Sequence, residues 1–301
     1  IAADGASVTK SQNRLISYLA RANYAYDDRF LLSLSVRADG SSKFGSANKF
    51  GYFPAASAGW RISNEKFLVD SKVISDLKIR ASYGTTGNNA GIDDYASQEV
   101  INTIRTGFAN PTNVTGYTVA NLANSNLKWE KLVEFNPGID ASFYGGVFGF
   151  SLDYYQRTNR DLLLNLPTSS VTGFSYYLTN AGEVKNEGFE LELRSTNIKN
   201  DNFSWTSSAL LSHNENTLVD FEGNSGLISV IDPKRAAEWI ALEGYPISSF
   251  YGFVKTKEID PKYIVNPYYP IGGQPQDVYV KDINGDGKIT LDDRTILGEP
   301  Y

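Results

Sequence analysis

The chain of 301 residues carries 28 basic and 34 acidic side chains, a formal charge of −6, and that balance argues against a nucleic-acid partner, whose phosphates call for a basic surface. Without cysteine, disulfides, thiolate metal sites and cysteine nucleophiles are excluded, and a single histidine, His213, leaves little material for acid–base catalysis. Hydrophobic residues make up 41% of the chain and aromatics 13%, with no apolar run near the about 18 residues of a membrane helix, so any crossing of a membrane must be made by strands.

Alternation of apolar and polar residues predicts strands from the start of the chain. "RLISYLARANYAY" places Tyr18, Ala20, Ala22 and Tyr24 on one face and Ser17, Arg21 and Asn23 on the other. "FLLSLSVR" opposes Leu32, Leu34 and Val36 to Ser33, Ser35 and Arg37; "PAASAGWRI" opposes Ala56, Ala58 and Trp60 to Ser57, Gly59 and Arg61. "LKIRASYG" opposes Leu77, Ile79, Ala81 and Tyr83 to Lys78, Arg80 and Ser82. Further on, "VEFNPGIDA" sets Phe135 and Ile139 against Glu134, Asn136 and Asp140, and "FGFSLDYYQR" sets Phe150, Leu152 and Tyr154 against Ser151, Asp153 and Arg157. "GFELELRS" sets Phe189, Leu191 and Leu193 against Glu190, Glu192 and Arg194, and "FSWTSSALLS" sets Trp205, Ala209 and Leu211 against Ser204, Thr206 and Ser208. About eight antiparallel strands follow from this count.

One apolar and one polar face fit a soluble sandwich, with the apolar faces as core, or an outer-membrane barrel, with the apolar faces toward lipid. Connection lengths favour the barrel. Tight turns at "YDDRF", "YGGVF" and "NIKNDNF" alternate with long stretches at 39–53, 84–127, 158–187 and from His213 onward. The link from Ser63 to Asp76 is long for the short-turn side, and a helical turn is expected there. Aromatics at Tyr24, Tyr26, Phe30, Phe143, Tyr144 and Phe148 flank the short turns, as an interfacial girdle does. Residues 1–212 are expected to be strands and loops of the wall, and residues 213–301 a single extracellular excursion. The abrupt termini, Ile1 and "LGEPY", lead to the expectation of a piece of a longer protein.

Catalytic constellations are missing: no GxSxG elbow accompanies His213, and the acid pairs Asp27–Asp28 and Asp93–Asp94 read as turn carboxylates. No enzyme is expected. "NPYYPIGG" and "GYPISSFYGF" offer aromatics that could stack on sugar rings.

"DINGDGKITLDD" has calcium-loop spacing. Oxygen donors stand at loop positions 1, 3 and 5 (Asp282, Asn284, Asp286), Gly287 holds the sharp-turn position, Lys288 offers its carbonyl, and Asp293 closes the loop. Asp in place of Glu at the last position shortens the reach. "QPQDVYVK" upstream alternates as a strand, so the paired helices of a sensor are missing and the expected role of Ca2+ is structural.

The phrases "RADGSSKFG", "LKIRASYGTTGNN", "NLKWEK", "YYQRTNRDLLL", "NAGEVKNEGFELEL" and "DINGDGKITLDDRTILGEP", in this order, resemble the SusC/RagA-like family of TonB-dependent outer-membrane transporters. The resemblance spans essentially the whole chain and corresponds to the middle or later part of the family's barrel. It implies an all-β fold, an antiparallel transmembrane β-barrel segment belonging to a barrel of about 22 strands. It further implies a plug domain and TonB contact outside this chain, a SusD-like lipoprotein over the outer mouth, import of oligosaccharides or peptides, and location in the outer membrane. The alternatives are a soluble β-sandwich that binds carbohydrate or mediates adhesion, and a calcium-dependent docking module.

Overall fold

The computed structural model describes residues 10–106, 114–222, 226–228, 239–256 and 279–298. Four strands open the chain: β1 (Leu15–Tyr26), β2 (Phe30–Ser41), β3 (Phe50–Arg61) and β4 (Ile74–Asn88). A hairpin of β5 (Ile101–Thr106) and β6 (Val114–Val119) follows, then β7 (Glu130–Phe143) and β8 (Phe148–Arg160). A second hairpin, β9 (Leu163–Pro167) and β10 (Tyr176–Asn180), precedes β11 (Glu183–Lys199) and β12 (Ser204–Asp220). The eight strands read from the sequence form one sheet in the order β1-β2-β3-β4-β7-β8-β11-β12, a meander in which consecutive long strands are neighbours. The two hairpins stand apart from this sheet and occupy the long connections. The last long strand reaches Asp220, past His213, where the polarity pattern alone starts the excursion.

The short connections are built by residues that tolerate left-handed backbone. Asp27 and Asp28 both have positive φ (52° and 49°) between β1 and β2, matching the right-handed twist of the paired strands. Tyr144, Gly145 and Gly146 do the same between β7 and β8. In the 62–73 link a single 3-10 turn at Ile62–Asn64 replaces the tight hairpin, as expected for that stretch.

Strand pairing carries the alternation from strand to strand. Ala22, Leu34, Ala56 and Tyr83 are successive cross-strand partners on the apolar face, and Ile79, Ile139, Leu152 and Leu191 continue it. Exposure then separates the two candidate folds. Leu32, Leu34, Val36, Ile79 and Leu152 are all more than 40% exposed, whereas Ser33, Ser35, Ser57, Arg80 and Asp140 on the polar face are half-buried. A soluble sandwich requires the reverse, so the sheet is an inside-out wall with its apolar face toward lipid. The exposed aromatics Tyr52 and Trp60 of β3 stand about eight residues apart, about 26 Å along the strand at 3.3 Å per residue and about 20 Å across a membrane at the tilt usual for barrels. Tyr18 at one border, and Phe30 stacked on Trp60 (6.2 Å, 10°) at the other, complete girdles at both ends.

Residues 1–214 form one compact unit and 215–301 a second. The second unit has its own small sheet of β13 (Gly226–Ile228), β14 (Trp239–Ala241), β15 (Ser249–Phe253) and β18 (Arg294–Gly298). A two-stranded pair, β16 (Lys255–Thr256) with β17 (Tyr279–Val280), adjoins it in sequence.

Candidate functional site

The polar face of the sheet gathers its charged and hydrogen-bonding side chains. Its centre is Arg80 on β4. The guanidinium donates to Asp140 through Nε (3.0 Å to Oδ2) and Nη2 (3.2 Å to Oδ1), and to Asp153 through Nη1 (2.6 Å) and Nη2 (2.8 Å). Asp153 lies two strands away, on β8. Arg80 reaches it because its cross-strand partner on the intervening strand is Gly138, where a Cβ would sit 2.8 Å from the guanidinium carbon and from Asp153 Oδ1. Lys78 adds 3.3 Å to Asp140 Oδ2, and the Ser151 hydroxyl donates to Asp140 Oδ1 at 2.8 Å. Two cations and two carboxylates thus neutralise one another across three strands. One guanidinium shared by two carboxylates in fork geometry is stronger than an isolated surface pair. The arrangement also offsets the repulsion of Asp153 and Glu190, which stand directly opposite each other.

The remaining charges singled out on this face pair locally. Arg37 meets Asp39 (2.7 Å), Arg157 meets Glu134 (3.0 Å), Arg194 meets Glu192 (2.7 Å), and Arg61 lies 3.6 Å from Asp76. Arg21 and Glu190 have no ion partner among the described residues. His213 is an interior residue of β12, its ring 5.9 Å from that of Phe189.

At the long-loop end a true apolar core appears, which polarity alternation did not reveal. Phe44, Phe53, Ile92, Ala96, Leu127 and Trp129 bury one another, and Leu163 and Leu178 of the β9–β10 hairpin pack against them. Trp129 lies edge-on to Phe53 (5.6 Å) and donates from Nε1 to the Lys49 carbonyl (3.2 Å). Gly51 and Gly87 leave the room that the Phe53 ring fills. Lys43 tethers the cap, donating to the Ile92 carbonyl at 2.8 Å beside Asp94 at 3.8 Å, and Asn13 holds Asp94 from the other side. The quoted phrases "SSKFG" and "NLKWEK" supply Lys43, Phe44, Leu127 and Trp129, and "GTTGNN" supplies Gly87, so they help fold the loops onto the end of the wall. Their signal was an apolar or aromatic residue set singly among Gly, Asn and Lys.

In the second unit, Asp282, Asn284, Asp286, Lys288 and Asp293 are all described. Asp282 accepts from Gly285 N (2.7 Å) and Gly287 N (2.9 Å), Asn284 from Asp286 N, and Asp286 from Lys288 N. Gly287 has φ 82° at the sharp-turn position. Asp293 is fully buried, its two oxygens accepting from Ile283 N (2.9 Å) and Thr290 N (2.7 Å), and Ile289 in the same loop is buried as well. The all-oxygen donor set is of the kind calcium takes. The aspartates are nevertheless not gathered into a cluster of three or more metal-ligating side chains among the described residues. An ion would have to draw them together. Of the two aromatic stretches, "GYPISSFYGF" exposes Tyr245 and Phe250, while "NPYYPIGG" lies outside the described residues.

Comparison with known proteins agrees with this geometry. A family model described as TonB dependent receptor-like, beta-barrel, matches residues 2–266. TonB-dependent receptor P26 of Formosa agariphila is 36% identical over 294 residues, covering 95% of this chain and 29% of that relative. TonB-dependent receptor SusC of Bacteroides thetaiotaomicron is 31% identical over 304 residues, covering 96% and 29%. Among solved structures, the RagAB peptide transporter superposes with a TM-score of 0.75 at 28% identity, over 94% of this chain and 29% of that one. The chain spans about three tenths of the length of these relatives. An inside-out antiparallel wall, a loop cap at one end and a family match over most of the chain lead to one assignment: the chain belongs to the TonB-dependent receptor β-barrel family, SusC/RagA type, and is a wall segment of an outer-membrane protein.

Proposed function

We propose that this wall segment serves a TonB-energised importer of oligosaccharides or peptides that works with a SusD-like surface lipoprotein, and that it carries no catalytic activity of its own. The observation that carries the reading is the inside-out sheet: a lipid-ready apolar face backs a polar face whose charges are neutralised in place, which suits the lining of a wetted passage. TonB contact and a plug would be supplied by parts of the receptor outside residues 1–301. The RagAB structure is that of a peptide transporter, and the same wall chemistry suits neutral sugars. The test is uptake by a deletion strain complemented with the full-length receptor. Growth on defined glycans or peptides that depends on both the receptor and its neighbouring lipoprotein is expected; growth indifferent to the receptor on every such nutrient refutes import.

The 213–301 excursion belongs, on this reading, to the outer surface, and calcium at Asp282, Asn284, Asp286, Lys288 and Asp293 orders it. With the dissociation constants of extracellular calcium modules, about 10⁻⁴ to 10⁻³ M, 1 mM calcium contributes about 0.4 to 1.4 kcal/mol. That magnitude orders a loop and leaves barrel assembly unaffected. Hydrogen exchange across residues 278–297 of the assembled receptor, with calcium and with chelator, decides the matter: equal protection in both means a metal-free turn.

A further inference from the structure

The connection between β3 and β4 is longer than the wall requires. At the same end of the sheet, β1–β2, β7–β8 and β11–β12 are joined by residues 27–29, 144–147 and 200–203, whereas β3 and β4 are joined by 62–73. A two-residue turn is enough to close an antiparallel hairpin. The surplus is also apolar where a loop in water would be polar: Phe67 is 72% exposed and Val69 62%, so the wall covers neither of them.

The start of this link is fixed on the lipid side of the sheet. Trp60 stands on the apolar face, paired and stacked with Phe30, and its Nε1–H donates to Glu65 Oε1 (3.0 Å). Arg29 donates to Glu65 Oε2 (3.1 Å), and its guanidinium carbon lies 5.9 Å from the ring centres of both Tyr26 and Phe30. Asn64 Nδ2 donates to the Asp28 carbonyl (3.2 Å). Glu65 is therefore held outside the wall by girdle residues that face lipid, where nothing that fills a barrel can cover it. From Glu65 the chain makes one helical turn, Leu68 N and Val69 N both donating to the Glu65 carbonyl (2.9 Å each). In that geometry the backbones of residues 67 and 69 stay within about 6 Å of residue 65. Lys66 and Lys72 are exposed and have no ion partner among the described residues, and the acid between them is Asp70.

We propose that the 62–73 link is an interfacial anchor seated in the phospholipid leaflet on the short-turn side of the membrane, with Phe67 and Val69 among the upper acyl carbons and Lys66 and Lys72 at the lipid phosphates. The occupant follows from continuity. The apolar face of β2 and β3 meets acyl chains, Phe30 and Trp60 are its border, and the link leaves from the carboxylate that this border holds. Apolar side chains set beside lysines are the composition of a segment lying at the boundary of headgroups and acyl chains, where lysine stems run along apolar surface toward the phosphates. Arg29 neutralises Glu65, the acid nearest the lipid, and so removes its repulsion of anionic headgroups. An anchor of this kind sets the depth of the β3–β4 pair against the leaflet whatever the receptor carries.

The test uses the full-length receptor in vesicles of phosphatidylethanolamine and phosphatidylglycerol. A nitroxide is attached at Phe67→Cys, at Val69→Cys or at Asp201→Cys, the last in the β11–β12 turn at the same end of the sheet, with the unsubstituted receptor as background. Collision of the nitroxide with oxygen, which concentrates in the bilayer, is compared with collision with a neutral nickel chelate, which stays in water. Expected is an oxygen-to-nickel ratio at 67 and 69 at least fivefold that at 201. A ratio equal to that at 201 means that the link lies in water. Little collision with either reagent means that another part of the receptor, or a second copy, covers it. Either result overturns the proposal. Only variants with the heat-modified gel mobility of the unsubstituted receptor are read, and either labelled position decides the matter if the other fails to assemble. The lysines are tested by Lys66→Glu combined with Lys72→Glu, labelled at Val69→Cys: the ratio should fall at least twofold in the same vesicles and less in phosphatidylcholine alone, and an unchanged ratio in both overturns the phosphate contacts.

Discussion

Replacing Leu34 by Arg tests the sidedness of the wall most directly. Leu34 is 48% exposed on the apolar face, flanked in register by Ala22 and Ala56, and midway along β2 between the level of Phe30 and that of Ala38, the partner of Tyr52 in the opposite girdle. That places it near the bilayer centre, where an arginine costs about 2 to 4 kcal/mol in a transmembrane barrel. Small alanine neighbours give the new side chain no polar anchor, and the aromatic borders are about 10 Å away along the membrane normal, so snorkelling relieves little of this. The control is the adjacent Ser35→Arg, which points to the polar face opposite Arg21. Like charges facing each other across a strand pair cost about 0.2 to 1 kcal/mol, and less where water screens them. The two variants sit at adjacent positions and carry the same new charge, so the expected gap of about 1 to 4 kcal/mol isolates the solvent on each side. Reversible urea unfolding of the receptor in lipid vesicles measures it. Equal destabilisation by the two arginines would mean that both faces meet the same medium, and the membrane-wall assignment would fall.

Arg80→Ala leaves Asp140 and Asp153 without their shared cation; because all three side chains are about a quarter to a third exposed, a loss of about 1 to 3 kcal/mol is expected, less than for a fully buried pair, and Arg80→Lys should restore only part of it in the same unfolding assay. Trp129→Ala removes the centre of the loop cap at a local cost of about 3 to 5 kcal/mol, seen as faster hydrogen exchange at 42–49 and 120–129 with exchange in the middle of β2 to β4 unchanged; a uniform rise would show that cap and wall unfold together. At the short-turn end, the Trp60 indole N–H foremost, and Arg29 with it, hold the Glu65 carboxyl below its ordinary value of 4.5. A depressed folded pKa contributes stability that is complete above the ordinary value and lost as pH falls through the folded one, so the 62–73 link should open on acidification below pH 4.5, and Trp60→Phe should move that opening to higher pH. Proteolysis of the link as a function of pH reads both, and an unshifted profile in Trp60→Phe removes the indole's role.

Alternation made the eight strands legible because each buries nothing more than a face: period two is enough when the partner is lipid on one side and water on the other. It left undecided whether the apolar faces met each other or a membrane, because both folds write the same pattern. Exposure of Leu34 against the half-burial of Ser35 resolves that. Strand ends were less legible. In "RADGSS" and "HNENTLVD" the alternation lapses while β2 and β12 continue, because there the strands leave lipid and both faces meet polar surroundings. The hairpins β5–β6 and β9–β10 hid in long loops for the same reason, and the loop cap has no periodicity at all, being assembled from single residues brought together by chain connectivity. The calcium spacing was plain, yet spacing specifies donors and their order; it does not specify that Asp282 and Asp293 converge.

The location of the cap's apolar core follows from the wall's solvent. A soluble sheet covers its apolar face with another layer and obtains its core there, but here that face is reserved for lipid and the opposite one is polar, so the wall has no interior of its own. Burial of side chains against side chains becomes possible only beyond the membrane border, where the strands overrun it and the loops can fold back. Phe53 and Trp129 stand at that border on β3 and just before β7, and Phe44 and Leu127 close on them from two different loops. Loops pinned in this way hold a fixed surface above the wall even though their sequences look like linkers. The polar face below is ordered by a different force, charge pairing through Arg80 across three strands.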